Sequence, residues 1–266
     1  MRNQRFIPSR PLSWMLTLMF MGALHSVRAA EFRPFATISY LSWEETVDGD
    51  RLVSEDGPLW GAGIQLRHDL STAMILDAKL ELFGGVVNYD GAVFDADGTS
   101  EPYDGETGYL GVSGDATLIF PVLPASAKAS AQPALGIGFH RWVRELDQGG
   151  DYGYDETWTT IYLRGGLEAI VFNDYADWYG QAFLILPLSN DEDVDNLGLV
   201  GANAISLEPE KEPGLSLVIG RRNDRWDLAL TLDYLHFGES DLDTSGLFFQ
   251  PESEWLRLGA RAGFSF

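Results

Sequence analysis

The 266-residue chain contains no cysteine. Disulfide scaffolds, zinc–thiolate sites and thiol catalysis are therefore excluded. Basic residues are scarce: 18 Lys plus Arg stand against 40 Asp plus Glu, a formal charge of −22. Such a chain does not bind nucleic acid by neutralising phosphates. Long apolar runs are absent beyond the first thirty residues, and mean hydropathy is −0.08. That excludes a bundle of membrane helices, each of which needs about 20 consecutive apolar residues. What the chain does have is 45% hydrophobic residues, 29 Gly, 8 Trp, 10 Tyr and 15 Phe. This is too apolar and aromatic for a disordered acidic polymer.

The first thirty residues differ from the rest. Residues 1–10 carry Arg2, Arg5 and Arg10 and no acid, residues 12–24 are mostly apolar, and residues 25–30 end in small side chains. Basic start, greasy core and small-residue end are the order of a secretory signal. Cleavage after Ala29 places Val27 three residues upstream as the small-pocket filler. The expected organisation is a signal peptide over 1–29 and a single domain over 30–266. Loss of Arg2, Arg5, Arg10 and Arg28 would move the charge to −26.

The remainder alternates with period two. Trp60, Ala62, Ile64 and Leu66 interleave with Gly61, Gly63 and Gln65; Leu76, Ala78, Leu80 and Leu82 interleave with Asp77, Lys79 and Glu81. Leu256, Leu258, Ala260, Ala262, Phe264 and Phe266 interleave with Arg257, Gly259, Arg261, Gly263 and Ser265. Strands send successive side chains to opposite faces. Each run thus has one apolar face and one of Gly, Arg and carboxylate, which suits a crowded, ion-paired lumen. Ten segments are predicted, near 35–45, 57–69, 72–88, 107–120, 132–144, 157–171, 177–188, 213–222, 225–237 and 254–266. Their connections alternate in kind: three are short, at 69–71, 172–177 and 223–224, a fourth at 121–132 is longer but carries one charge, Lys128, and five are long and acidic, at 46–56, 89–106, 145–156, 189–212 and 238–253. The fold class that follows is all-β: a transmembrane antiparallel β-barrel, ten-stranded, with eight or twelve as alternatives. Two aromatic girdles are expected. Trp43, Trp60, Trp142, Trp158 and Tyr234 fall near the long-loop end; Phe35, Phe120, Phe172, Tyr175, Trp178, Trp226 and Phe264 fall near the other.

The last strand, with Gly259 and Phe264 and an aromatic carboxy-terminal Phe266, resembles the insertion signal that outer-membrane barrels present to the barrel-assembly machinery. With the leader, the whole chain resembles the general bacterial outer-membrane β-barrel superfamily. The resemblance implies residence in the cell outer membrane, contact with its lipid and lipopolysaccharide, and assembly through the C-terminal strand. It implies no particular activity or oligomeric state, because barrels of this size include enzymes, adhesins, pores and anchors.

Parity gives an inward charge network of Arg67, Asp77, Lys79, Glu81, Asp115, His140, Arg144, Arg164, Glu168, Asp227, Asp233, Arg257 and Arg261. A ten-stranded lumen is only slightly wider than one that side chains fill, so a salt-bridged plug is expected. Outside the leader the chain has three histidines, and only His140 is expected inward, near the outer rim. Omptin proteases need paired aspartates and an Asp–His pair at that rim, and nothing around His140 matches; no serine lies at a persuasive spacing for a lipase. No catalytic residue is therefore assigned. Of the 40 acids, 29 fall in the five long loops and their flanks, opposed there by Arg51 and Lys211. Asp48 and Asp50, and Asp95 and Asp97, are weak candidates for divalent cations, which want several oxygens, but neither completes a calcium loop; no cofactor is expected otherwise. The leading expectation is a non-enzymatic surface or structural protein with acidic extracellular loops. The alternatives are a narrow cation-favouring channel or porin and a rim enzyme of protease or lipase type using His140.

Overall fold

The computed structural model describes residues 30–94, 100–122, 128–147, 153–195 and 204–265. The expected leader, Asp95, Asp97 and Phe266 lie outside these residues. Among the described residues there are strands and turns and no helix. The elements are β1 (Glu31–Val47), β2 (Asp50–Ser71), β3 (Met74–Phe94), β4 (Ser100–Ile119), β5 (Ala129–Asp147), β6 (Tyr154–Val171), β7 (Asp177–Asp195), β8 (Ala204–Leu207), β9 (Glu210–Lys211), β10 (Gly214–Arg222), β11 (Trp226–Gly238) and β12 (Glu252–Phe264). All neighbours pair antiparallel, β1 closes on β12, and β10 bridges β7 and β11. β8 extends the same position against β7, and β9 extends it against β11. The twelve segments therefore make a closed barrel of ten staves, the eighth in three pieces.

Within the middle of each stave the outward row is apolar. β3 shows Leu80, Leu82 and Val86 outward, β12 shows Leu256, Leu258 and Phe264, and β7 shows Leu184, Leu186 and Leu188. Trp60 is 61% exposed in this belt. In water that much contiguous apolar surface is costly; in a bilayer it is the required wall. Termini and the short turns share one end of the barrel.

The other end corrects the loop expectation. Long loops are predicted over 46–56, 89–106 and 145–156, but strands continue through most of these residues. β1 and β2 run on to a two-residue turn at Asp48 and Gly49, with φ of 54° and 85°. Two successive positive φ angles make the hairpin turn whose twist matches its strands, and Asp-Gly is a sequence suited to it. Strands of 20 to 22 residues in β2, β3 and β4 exceed the ~10 that span a membrane. The barrel projects beyond the apolar belt, and there Glu44, Asp56, Asp90, Glu106, Glu145, Asp191, Asp193 and Glu254 occupy the outward row.

The girdle expectation also needs correction. Trp43, Trp142 and Trp158 do not face lipid: each is at most 1% exposed, inside the bore, with Trp255 and Phe237. Phe35 likewise turns inward and lies under Arg261. Parity explains this, since Trp142 shares its row with His140 and Arg144.

Candidate functional site: the layered bore

The structure places all thirteen residues of the predicted network inside the barrel, in three of the four layers that fill it. At the terminal end, Asp227 holds Arg33 at 2.9 Å and accepts a 2.8 Å hydrogen bond from the Tyr179 hydroxyl, while Arg261 donates to Tyr179 at 2.9 Å. Beside it, Arg67 bridges Asp77 at 3.0 Å and Glu168 at 2.7 Å; Gln181 donates to Glu168 at 2.8 Å and Arg222 stands 3.7 Å away.

The next layer surrounds a cavity of about 70 Å³, room for a handful of waters. Asp115 pairs with Arg164 at 2.7 Å and Lys79 at 3.4 Å, Arg257 pairs with Glu81 at 2.5 Å, and Asp233 accepts from Ser216 at 2.7 Å. His140 lines this cavity, and its Nδ1 has no partner among the described residues. It pairs in register with Ser113 and Thr160, at the depth of the apolar belt. The expectation that His140 stands near the outer rim is therefore corrected: two aromatic residues farther along β5 and β6, Trp142 and Trp158, lie between it and the outer mouth.

Those indoles form the third layer. Trp142 and Trp158 stack at 5.7 Å with planes 5° apart, Trp43 meets Trp158 edge-on at 5.1 Å, and Trp255 lies 4.9 Å from Trp142. Phe237 closes against Trp158 at 5.0 Å. A Cβ on Gly111 would collide with the Phe83 ring and with Trp142, so glycine there is what lets the rings fill the bore.

Of the fourth layer, parity places only Arg144 in the interior. Arg144 contacts Glu45 at 2.9 Å, Glu55 at 2.8 Å and Glu156 at 2.5 Å. Tyr109 and Thr107 also donate to Glu55. Trp43 and Trp158 donate to Glu45 and Glu156 at 2.8 and 3.0 Å. Glu192 is fully buried nearby, beside Gln250. Sequence assigns Glu45, Glu55, Glu156 and Glu192 to solvated loops; all four instead point into the bore, on the rows of Trp43, Leu59, Trp158 and Val194 respectively. Arg33 and Arg222 were missed as well, although Arg33 shares the Phe35 row.

This fourth layer lies above the apolar belt, where outward neighbours are Arg141, Glu145 and Asp155. Burial pushes the Glu156 carboxyl up to about 7, Arg144 working against the rise and Glu45 adding to it. Burial and the charges of Glu156 and Glu45 push Glu192 well above its ordinary range. A raised folded-state value means that the stabilisation is fully present below the ordinary carboxylate value of 4.5 and is lost as pH rises through about 7. Thermal unfolding in detergent is expected to occur at higher temperature at pH 5 than at pH 8, with the difference shrunk in Glu156→Gln/Glu192→Gln. An unchanged pH response in that variant would remove these two groups from the account.

Among the described residues no group of three or more His, Asp or Glu side chains is arranged to hold a metal ion. Asp48 lies in the exposed β1–β2 turn and Asp50 opens β2. The carboxylate of Asp243, in the β11–β12 connection, is used structurally: slight burial raises it, but the Ser245 hydroxyl and the N–H groups of Phe248, Leu247 and Ser245 hold it at about 2.

No protein-family model and no curated protein matches the chain. Solved structures do. The outer membrane protease OmpT from Escherichia coli superposes with a TM-score of 0.62 at 9% identity, over 89% of this chain and 96% of that one. The translocator domain of the autotransporter NalP from Neisseria meningitidis gives 0.40 at 12% identity, over 96% and 94%. OprG from Pseudomonas aeruginosa gives 0.38 at 12%, over 90% and 97%. Likeness at such identities is likeness of fold.

Proposed function

We propose that this chain, which has the fold of the bacterial outer-membrane β-barrels, is a non-enzymatic surface protein of the outer membrane. On this reading it is a closed pillar that carries acid on its extracellular collar. One observation supports it above the rest: the indoles of Trp43, Trp142, Trp158 and Trp255 fill the bore from wall to wall, and the Arg144 cluster sits directly on top. A conducting pore of this size needs a continuous polar path, and the aromatic layer interrupts it. The interior cavity that His140 lines holds only a few waters. The histidine that a rim enzyme would use lies beneath the tryptophans, away from any external substrate.

The test is single-channel recording on the refolded full chain in a planar bilayer. The expected trace is silent at 1 M KCl over ±100 mV. Stable cation-selective steps would overturn this reading in favour of a narrow channel. Hydrolysis of a peptide or phospholipid that disappears in His140→Ala, with the fold intact, would overturn it in favour of an enzyme.

A further inference from the structure

The membrane-facing wall is not uniform. At the terminal end of the β1–β12 seam it is indented by a groove with an open volume of about 820 Å³. Pro34, Ala36, Ala262 and Phe264 line its apolar part, and Asp224 and Arg225 of the β10–β11 turn stand at its rim. Ala36 pairs with Ala262 across the seam. Ala36 also pairs with Ala62 of β2, so a row of methyl groups faces lipid here, while β11 presents Leu228 beside Ala262; the wall is shallow for that reason.

The rim charges are unlike those of the bore. Both side chains are exposed, and neither carboxylate nor guanidinium has an ion pair or hydrogen bond among the described residues. The turn beneath them is nevertheless fixed. Asn223 Oδ1 accepts from the N–H groups of Arg225 and Trp226 at 2.9 and 3.0 Å, and the Ser265 N–H donates to the Arg225 carbonyl at 2.9 Å. Phe264, Tyr175 and Trp178, all exposed at this end, mark the depth of the headgroups. One cation and one anion, unpaired and adjacent, therefore stand at headgroup depth above an apolar groove.

We infer that the groove binds one zwitterionic phospholipid with a primary-amine headgroup. An acyl chain lies along Pro34, Ala36 and Ala262. The Arg225 guanidinium takes the phosphate, whose oxygens suit its planar fork. Asp224 takes the ammonium, which donates three hydrogen bonds. A choline headgroup has the charge without the donors, and a glycerol headgroup offers Asp224 no cation. Amine, choline and glycerol phospholipids are thus ranked in that order.

Native mass spectrometry of the full chain, refolded in detergent and mixed with equal amounts of phosphatidylethanolamine, phosphatidylcholine and phosphatidylglycerol of one acyl composition, tests this. The expected result is one retained lipid, ethanolamine over glycerol by about tenfold, which corresponds to about 1.4 kcal/mol. Asp224→Ala should erase the preference for the amine. Arg225→Ala should weaken all three lipids. Ala36→Leu should fill the groove and abolish retention, with folding of each variant verified by heat-modifiable gel mobility. Equal retention of the three lipids by the native chain overturns the inference, as does ethanolamine retention unchanged by Asp224→Ala/Arg225→Ala. A silent or conducting bilayer trace bears on the bore and leaves this result independent.

Discussion

Replacing Arg144 with methionine is expected to destabilise the barrel by about 3–5 kcal/mol at pH 8, the range for stranding a buried charge by removing its partner. Among the described residues the guanidinium is the one cation paired with Glu45, Glu55 and Glu156, and all three carboxylates are nearly or wholly buried. Methionine matches the stem and leaves three acids facing one another in a poor solvent for charge. Protons can substitute for the lost cation. The deficit should therefore shrink by at least half at pH 5, where stranded carboxylates neutralise. Arg144→Lys should fall between, because an ammonium supplies the charge without the planar fork that reaches Glu55 from one nitrogen and Glu45 and Glu156 from the other. Urea unfolding from lipid vesicles, followed by tryptophan fluorescence, reads all three. A methionine variant as stable as the native chain at pH 8 would mean that the cluster is not ionised as the geometry implies.

The second large effect belongs to the indole layer. Trp142→Ala is expected to cost about 3–5 kcal/mol, the usual range for removing a buried large aromatic side chain. Trp142→Phe should cost far less, about 1 kcal/mol. Its Nε1–H has no acceptor among the described residues, so the phenyl ring loses stacking area but no hydrogen bond. The opposite holds for Trp43 and Trp158. Their N–H groups serve Glu45 and Glu156, and phenylalanine there should cost an additional 1–3 kcal/mol, as expected for leaving a charged acceptor short of a donor. In the bilayer assay, Trp142→Ala/Trp158→Ala should convert the silent barrel into one with brief openings. The same vesicle unfolding assay measures the stabilities. If phenylalanine were equally costly at all three positions, the distinction drawn from the hydrogen bonds would fail.

Strand number, closure and the inward rows were legible because lipid imposes a simple rule: apolar outside, polar inside. Leu256, Leu258 and Arg257 announce their faces without help. The outer third of the barrel follows the reverse rule. Beyond the belt the outside meets water and the inside meets packed rings, so Glu44 and Asp56 face out while Trp43, Tyr109 and Leu59 face in. Reading polarity alone, the pattern breaks at this inversion, and the segments look like acidic loops. Reading parity, it continues: Glu55 is two places from Val53, and Glu156 two from Trp158, without a phase change. Tryptophan compounds the ambiguity because it suits both a lipid interface and a packed interior. Glu156 is the register partner of Arg144 on the adjacent stave, but no row could reveal that Glu45 and Glu55 share it, since β1 and β2 meet β5 only across the bore. That meeting is a property of closure.

The two-residue turn at Asp48 and Gly49 has a consequence for the acid on the outer staves. On a loop, like charges drift apart and repulsion is relieved by motion. On paired strands, alternate residues are held at roughly 7 Å and neighbouring staves at about 4.8 Å. The collar is then a lattice of fixed negative sites, some closer together than the screening length of about 8 Å at physiological ionic strength. Relief must come from the solvent. Counter-cations gather around the collar, and the outermost segments of the barrel should resist unfolding better as salt rises. The barrel whose bore the indoles fill would therefore also gather a concentrated film of cations around its acidic collar.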